Sequence, residues 1–481
     1  MNIFRNNKSS QTDSANMHEH LKAGATWLNY ADFLCVWLMV LCPLLQHYRG
    51  WIVDARATVM ILLAPYLLVR LWIKNEVRFK MVLPIAIYGI FKIVHGGFRI
   101  SDIGREGLVL LILLAVESGV VNTKRYFKAM TAIAIVASAV IITQYVCYYV
   151  FDFHLQVVVT DWFLKSSAQW IGLAQTGAIS VTGKPTSFYR PSAFFLEPAH
   201  MALFCTPVVL MLLLAPGISK KRLLLAGIVT VGVVASTSGM GIVMCMGLWF
   251  LYFVFYCGEG KPSKPIGIGK LQIKGFSAKD IQFKGIDRKW LKIRPFTIKG
   301  ITMRPINILL IVSMAIVVVL MYLFVDVFRK SINRILFADG GYNAILGRTE
   351  VGAYVITHMD VLDLILGERN PGKEANWYMS AFFKVIYDYG MIGFFLSYAF
   401  YFISIFKTKR EYRWMALLIV GLSFFSVHTH GSAFMQFLCT ILLVGRLEAA
   451  SERDLFPAIR LHPLSIIRKN NEAVNDVEKS E

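Results

Sequence analysis

The sequence between residues 306 and 327, INILLIVSMAIVVVLMYLFVDV, decides the class of this protein. It is long enough to cross the hydrocarbon core of a bilayer as a helix, and its one ionisable residue, Asp326, lies near its end. Hydrocarbon offers no partners for backbone N–H and C=O groups, so a span of this kind must be helical. The sequence therefore predicts an integral membrane protein.

Apolar runs of similar length recur along the 481-residue chain, in which 56% of residues are apolar and 17% are charged. A typical soluble domain carries about 25% charged residues, so the composition excludes an ordinary soluble protein. We predict an all-α polytopic membrane protein with about twelve transmembrane helices. The predicted spans lie near residues 27–47, 52–73, 81–96, 105–121, 126–151, 193–215, 222–237, 239–257, 306–327, 379–405, 414–428 and 431–446.

The formal net charge of +20 has two explanations: nucleic-acid binding, or basic cytoplasmic loops of a membrane protein. The apolar runs favour the second. With the N-terminus inside, the inward segments hold 34 of the 50 basic residues and the outward segments hold 12. Because basic residues concentrate on the cytoplasmic side, we expect both termini in the cytoplasm. Four basic residues lie within predicted spans: Arg56, Arg70, Lys92 and Lys384.

The segments outside the spans complete the predicted organisation. The parts are an inward tail (1–26), helices 1–8 (27–257) with an outward loop (152–191), an inward loop (258–305), helices 9–12 (306–446) with a larger outward loop (327–378), and an inward tail (447–481). The first 26 residues lack the apolar core of a signal peptide, so we expect no cleaved signal. All seven cysteines lie in or beside spans, which is typical of packing residues and indicates no disulfide framework.

The inward loop 258–305 alternates apolar and basic residues with glycine breaks, a pattern that predicts a small β-rich insertion. The tripeptide Ile-Lys-Gly recurs at 273–275 and 298–300. Twelve basic and three acidic residues indicate binding to anionic inner-leaflet lipid, to a protein partner or to nucleic acid. Nucleic acid is the least favoured partner, because the loop has only four aromatic side chains on which bases could stack.

The first outward loop leads into the sixth span through the sequence YRPSAFFLEPAH, residues 189–200. Arg190 would lie at the outer interface, and Glu197 and His200 would share one helix face inside the membrane. Ionisable residues at that depth usually face a cavity or a partner, which makes these two residues candidates for chemistry. The alternative is that Arg190 pairs with Glu197 and only orients the helix.

The second outward loop is rich in arginine. Its candidate substrate contacts are Arg329, Arg334, Arg348 and Arg369, with Asn376 at the start of the tenth span. Residues 347–358 are predicted to form an amphipathic helix on the membrane surface. Guanidinium groups bind phosphate oxygens in pairs, so several at one interface suit a lipid-linked phosphate or pyrophosphate. Each arginine taken singly is equally well explained as solvated or bound to a headgroup.

A pair of histidines, His428 and His430, lies in the short outward turn between the last two spans. Either imidazole can accept a hydroxyl proton as a sugar bond forms, and so can Glu197 or His200. A histidine pair in a tight turn is also explained by a structural role or a headgroup contact. No Asp-x-Asp sequence or carboxylate cluster suited to a divalent metal occurs, so we expect neither metal nor cofactor.

Three stretches of this sequence resemble one family. The stretch from Arg190 to Pro198 resembles the arginine and glutamate–proline signature of the O-antigen ligase and polymerase superfamily, in its polysaccharide-polymerase branch. The Ser236-Thr237-Ser238-Gly239 turn is similar to the family's Ser-x-Ser turn. Gly347-Arg348, followed by Tyr389-Gly390-Met391-Ile392-Gly393, is similar to the family's large loop and the Gly-x-Ile-Gly sequence after it. These stretches lie in the family's order between residues 185 and 395.

The resemblance implies an inverting, metal-independent glycosyltransferase embedded in the membrane, whose large loops are periplasmic. It implies that Arg190 and Arg348 bind the pyrophosphate leaving group and offset its developing charge. The ligase branch has a histidine before the asparagine that ends its large loop, whereas this chain has Ala375-Asn376. The ligase is therefore disfavoured, and the general base stays open among Glu197, His200, His428 and His430.

The expected protein is a polymerase of a surface polysaccharide (O-antigen, capsule or another exopolysaccharide) in the bacterial inner membrane. Its partners would be undecaprenyl-pyrophosphate-linked glycans, membrane lipids, and a chain-length regulator and flippase of the same pathway, with no nucleic acid. Two alternatives stay open. One is an O-antigen ligase-type transfer to another acceptor, and the other is a twelve-helix transporter or flippase, although the two halves show no repeat.

Overall fold

The computed structural model describes most of the helical segments and the strands of the inward loop. The described residues are 29–45, 48, 54–153, 155, 191–195, 197–214, 220–256, 266–268, 271–273, 276–277, 281–283, 286–288, 291–293, 296–298, 302–336, 346–368, 379–407, 410–425 and 435–446. They form two compact units. The first unit comprises Met1–Ile133, Thr160–Lys165 and Val351–Glu481, and the second comprises Ala134–Val159 and Ser166–Glu350.

Helices dominate both units. In chain order they are α1 (Asn29–Leu41), α2 (Ala55–Lys74), α3 (Leu83–His95), α4 (Ile100–Ser118), α5 (Thr123–Phe151), α6 (Pro198–Leu214), α7 (Lys220–Ala235), α8 (Gly239–Leu251), α9 (Pro305–Phe324), α10 (Asp326–Leu336), α11 (Leu346–Thr357), α12 (Val361–Leu366), α13 (Ala381–Lys407), α14 (Arg410–Phe425) and α15 (Met435–Arg446). A π-helical turn, Tyr252–Tyr256, follows α8. The helix α5 contributes residues to both units.

A helix occupies each of the twelve predicted spans. Among the described residues, four helices are long and apolar enough to cross a membrane: α2, α5, α9 and residues 381–406 of α13. Shorter apolar helices include α1, α3, α6 and α8. The prediction of a mostly helical protein with helices long and apolar enough to cross a membrane is confirmed, while the number of spans and their orientation stay predictions.

In the first unit, α13 packs against α3 and α14, and α4 packs against α2 and α15. An ion pair joins α1 to α2, since Arg70 lies 3.3 Å from the Asp32 carboxylate and Tyr66 donates a hydrogen bond to the same group. The residue before helix α2, Asp54, caps it: the Asp54 side chain accepts a hydrogen bond from the amide of Ala57 at 2.7 Å. This cap satisfies one of the amides that a helix start leaves unpaired.

The regular helix α13 is interrupted at Gly390, which has φ 65° and ψ −173°. The end of α12 packs into this interruption, where Gly367 also has a positive φ of 93°. A hydrogen bond of 2.8 Å from the amide of Glu368 to the carbonyl of Tyr387 fixes the contact. A Cβ on Gly390 would overlap the backbone of Ile365, so glycine is required here by both conformation and space.

The second unit is built around α6, which is apolar on all sides and almost entirely buried. The helices α7 and α8 pack against it and against each other. A Cβ on Gly232 of α7 would overlap Ser138 of α5, so the absence of a side chain permits this close approach. The helix α10 packs against α8, and the Tyr322 hydroxyl of α9 donates a hydrogen bond of 2.9 Å to Asn333 of α10.

Eight short strands follow the π-helical turn. They are β1 (Ile266–Ile268), β2 (Leu271–Ile273), β3 (Phe276–Ser277), β4 (Ile281–Phe283), β5 (Ile286–Arg288), β6 (Leu291–Ile293), β7 (Phe296–Ile298) and β8 (Thr302–Met303). They pair antiparallel as β1–β2, β3–β8, β4–β7 and β5–β6. The strands lie in the segment for which the alternation of apolar and basic residues predicts extended structure.

Candidate functional site

The start of α6 carries two of the predicted candidate bases, Glu197 and His200. Pro198 occupies the first helical position, where its missing N–H would have had no intrahelical partner. The carbonyl of Glu197 accepts hydrogen bonds from the amides of His200 (3.0 Å) and Met201 (3.2 Å). Both side chains are half-buried and close enough to interact electrostatically. A carboxylate and an imidazole therefore lie together at this helix end.

The segment before α6 is held by Gln144, a buried residue of α5. Its side-chain oxygen accepts a hydrogen bond of 2.9 Å from the amide of Ala193. Its side-chain nitrogen donates a hydrogen bond of 3.0 Å to the carbonyl of Leu155. Ala193 has a positive φ of 52°, which is uncommon for a residue with a Cβ, so its conformation depends on contacts of this kind.

The turn Ser236–Ser238 between α7 and α8 is buried. Ser236 donates a hydrogen bond of 2.7 Å from its hydroxyl to the carbonyl of Val233, and Ser238 caps α8 by accepting from the amide of Gly241 at 3.4 Å. Thr237, with φ 57°, lies between them. Within the described part of the chain, the buried hydroxyls of Thr237 and Ser192 have no hydrogen-bond partner. Such groups are costly to leave unpaired, which makes them candidates for contact with a bound polar molecule.

The two segments are close in space. A Cβ on Gly241, three residues after Ser238, would lie 2.5 Å from the Cβ of Ala202, two residues after His200. The first turns of α6 and α8 are therefore in direct contact. We call residues 192–195 and 197–202 together with residues 236–241 the α6–α8 site. It contains a carboxylate and an imidazole, each of which can accept a proton, and two buried hydroxyls that have no partner among the described residues.

Of the predicted arginines, the structure describes the side chain of Arg329. Arg329 is exposed on α10 and lies 2.5 Å from Asp326 of the same helix. Arg334 lies on α10 and Arg348 lies on α11, and for both the structure describes the backbone but not the side chain. A helix does form at Leu346–Thr357, as the sequence predicts for this loop. The other predicted site residues, Arg190, Arg369, Asn376, His428 and His430, lie outside the described residues.

The first unit contains a cluster of charged residues whose pairing was not predicted from the sequence. Lys92 of α3 lies 2.5 Å from the carboxylate of Glu106 on α4, and both side chains are nearly buried. Arg105 lies 3.0 Å from Asp102 and 3.5 Å from Glu106. The sequence marks Lys92 as a cation within a predicted span, but the pairing depends on how α3 packs against α4.

This cluster extends to α13 through aromatic rings. Tyr389 contacts the rings of Tyr88 and His95 on α3, each with centroids 5.8 Å apart. One residue earlier, the carboxylate of Asp388 lies 2.8 Å from Lys384. Each carboxylate of this cluster is paired with a cation, but only the Lys92–Glu106 pair is nearly buried, where pairing offsets the cost of burying charge.

Among the described residues, no group of three or more histidine, cysteine, aspartate or glutamate side chains could hold a metal ion. No protein family, curated protein or solved structure matches the chain. The resemblance to the ligase and polymerase superfamily accordingly rests on the three stretches quoted from the sequence.

Proposed function

We propose that this protein polymerises polyprenyl-pyrophosphate-linked oligosaccharide repeat units into a surface polysaccharide. The observation that supports the proposal most directly is the α6–α8 site. Ala202 and Gly241, which follow two of the stretches that carry the family resemblance by four and two residues, are in contact there. The same segments carry the candidate bases Glu197 and His200 and two buried hydroxyls, of Ser192 and Thr237, that have no partner among the described residues.

In the proposed reaction, a hydroxyl oxygen at the non-reducing end of one lipid-linked unit attacks the anomeric carbon of the growing glycan. The bond from that carbon to the pyrophosphate oxygen breaks, and polyprenyl pyrophosphate leaves with the bonding electrons. The hydroxyl proton passes to a base, for which Glu197 and His200 are the described candidates. Attack opposite the leaving group inverts the anomeric configuration, and the atoms and charges balance without an oxidant or a metal.

Cations would stabilise the charge that develops on the leaving pyrophosphate. Arg190 directly precedes the α6–α8 site in the chain, and Arg348 lies at the start of α11. The helix α10 carries Arg329, Lys330 and Arg334 directly after the predicted span α9. Such a placement suits a lipid-linked anion, whose phosphates lie at the membrane interface while its chain stays in hydrocarbon.

The direct test uses the purified full-length protein in proteoliposomes with a lipid-linked repeat unit and EDTA. We expect a ladder of products that differ by one repeat unit, together with release of polyprenyl pyrophosphate. Transfer of single units to a different acceptor would indicate a ligase. Recovery of the lipid-linked unit unchanged, with no pyrophosphate released, would refute the proposal.

The residue assignments have their own test in the same assay. Arg190→Ala and Arg348→Ala should each lower the polymerisation rate by roughly 10²–10³, the usual cost of removing a group that stabilises transition-state charge. Glu197→Gln and His200→Gln distinguish the two candidate bases. Replacement of the residue that acts as the base should lower the polymerisation rate by about 10²–10⁴-fold. Lys221→Ala is the matched control, since it removes an exposed cation at the start of α7. If the arginine variants retained full rates, the pyrophosphate assignment would be wrong.

A transporter or flippase is the second candidate, and the ion pairs between the helices of the first unit favour it. Charged pairs within membrane helices often mark transport pathways. However, Lys92 lies in the last turn of α3 and Asp32 in the first turn of α1, so these pairs lie near helix ends rather than at mid-helix. Movement of an unchanged lipid-linked unit across a vesicle membrane, measured with a fluorescent analogue, would support this candidate.

A further inference from the structure

The exposed face of the short helix α12 is entirely apolar. Val361 is 75% exposed, Leu362 61% and Ile365 43%. With 3.6 residues per turn, these three side chains share one sector of about 100°. The acidic residue of the helix, Asp363, lies on the far side and is half-buried. A helix on a protein surface in water has the opposite arrangement, with charged residues outward and apolar residues inward.

The preceding helix, α11, exposes a different kind of surface. Ala353, Tyr354 and Thr357 are exposed, and so is His358 directly after the helix. The Nδ1 atom of His358 lies 2.8 Å from the carbonyl oxygen of Tyr354, and the centroids of the two rings are 4.1 Å apart. Polar groups of this kind are compatible with water. The character of the exposed surface therefore changes between α11 and α12, across the connection 358–360.

The end of α12 is fixed to one level of α13. The amide of Glu368 donates a hydrogen bond of 2.8 Å to the carbonyl of Tyr387, and a Cβ on Gly390 would overlap the backbone of Ile365. Beyond this level, residues 391–406 of α13 contain no acidic or basic side chain. This stretch of helix is about 24 Å long, most of the ~30 Å thickness of a hydrocarbon core.

Charged residues and helix ends lie at the same level. The helix α3 ends at His95, whose ring contacts that of Tyr389 with centroids 5.8 Å apart, and α4 begins at Ile100. Lys384 and Asp388 form their ion pair in the part of α13 that precedes the uncharged stretch. Charged side chains are costly within hydrocarbon and concentrate near the ends of spans. In a chain whose helix α13 crosses a membrane, α12 is therefore attached at the level of a membrane surface.

We propose that α12 lies in this membrane surface with Val361, Leu362 and Ile365 inserted among the lipid acyl chains, while the exposed face of α11 is in water. Interfacial helices bury an apolar face about 5–10 Å into the boundary between headgroups and acyl chains. In this arrangement the surface helix is α12 and not the segment 347–358, for which the sequence predicts that position. The inference depends on α13 crossing a membrane and not on the proposed polymerase activity.

Spin labels on introduced cysteines test this placement in the full-length protein reconstituted into lipid bilayers. Molecular oxygen concentrates in hydrocarbon and a hydrated nickel chelate stays in water, so their collision rates with the label identify its surroundings. At Val361→Cys and Leu362→Cys the nickel collision rate should be at least about fivefold lower than at Ala353→Cys and Thr357→Cys, because polar solutes partition poorly into hydrocarbon. The oxygen collision rate should be higher at the same two sites. Wild-type protein treated with the label gives the background, since the six described native cysteines are buried or half-buried.

Each other outcome contradicts the proposal. Equal nickel collision rates on the two helices would mean that α12 is in water. Low collision rates with both reagents at Val361→Cys and Leu362→Cys would mean that protein, a partner or a second copy of the chain, covers this face. Both positions are exposed, so the variants should fold, and either one decides the question if the other does not. The measurement needs no glycan substrate, so its failure is distinguishable from failure of the proposed polymerase activity.

Discussion

Replacing Gln144 with leucine tests whether the α6–α8 site depends on a contact with α5. The substitution removes the acceptor for the buried amide of Ala193 and the donor to the carbonyl of Leu155. A buried amide left unpaired costs about 1–3 kcal/mol, and the second hydrogen bond contributes about 1 kcal/mol. We therefore expect the free energy of unfolding to fall by roughly 2–4 kcal/mol.

The effect on activity should exceed what unfolding explains. Ala193 has a strained positive φ and lies four residues before Glu197, so release of its amide lets the segment relax. At a temperature at which the variant is still folded, we expect polymer formation to fall at least tenfold, because small displacements of reacting groups cost rate. Gln144→Glu keeps the acceptor for Ala193 but loses the donor to the carbonyl of Leu155, so it should recover only part of this loss.

The assay pairs denaturant unfolding in detergent micelles with the polymerisation rate in proteoliposomes. Thr143→Val is the control: Thr143 is the neighbouring residue of α5, but its side chain is exposed, so we expect a change within about 0.5 kcal/mol. If Gln144→Leu left both stability and rate unchanged, Gln144 would not position the site. A loss of rate that Gln144→Glu fails to recover would point to a general packing defect instead.

Three further outcomes are expected. Gly390→Ala should lower the free energy of unfolding by at least about 3 kcal/mol, because a residue with a side chain is strained at φ 65° and its Cβ would overlap the backbone of α12. The control is Gly107→Ala in α4, where the added Cβ meets open space. In the same denaturant unfolding experiment its free energy of unfolding should stay within about 1 kcal/mol of wild type. Lys92→Met alone should lower the free energy of unfolding more than the double variant Lys92→Met/Glu106→Gln, because the single variant leaves Glu106 without Lys92. In a double-mutant cycle the coupling energy between the two residues should be at least about 1 kcal/mol, and strictly additive effects would contradict the ion pair. Polymerisation should proceed at an unchanged rate in EDTA, and restoration of lost activity by Mg²⁺ or Mn²⁺ would contradict the metal-independent reaction.

The helical elements are readable from local sequence. An apolar run such as 306–327 has one stable form in hydrocarbon, so its helix follows from composition and length alone. The alternation in the inward loop likewise predicts extended structure, and strands lie there. These features depend on backbone hydrogen bonding and on neighbours a few residues away, which the sequence displays directly.

Some residues of the candidate site can be predicted from the sequence, and others cannot. Glu197 and His200 are recognisable because ionisable residues are rare inside apolar runs. Gln144 is not recognisable, because a single amide side chain in a long apolar helix has no pattern that names its partner. The contact between Gly241 and Ala202 is equally hidden, although a glycine in an apolar helix is compatible with close packing.

The sequence alone determined that the chain has apolar helices able to cross a membrane, where those helices lie, and which charged residues interrupt them. The helices α10 and α12, inside the predicted second outward loop, were not predicted. The tertiary structure decided which of those residues meet: Lys92 with Glu106, the start of α6 with the start of α8, and Gly390 with the end of α12. The physical reason is the distance along the chain over which each kind of interaction acts. Burial and backbone geometry act on each segment separately, whereas an ion pair or a glycine contact depends on the shapes of two surfaces distant in the chain.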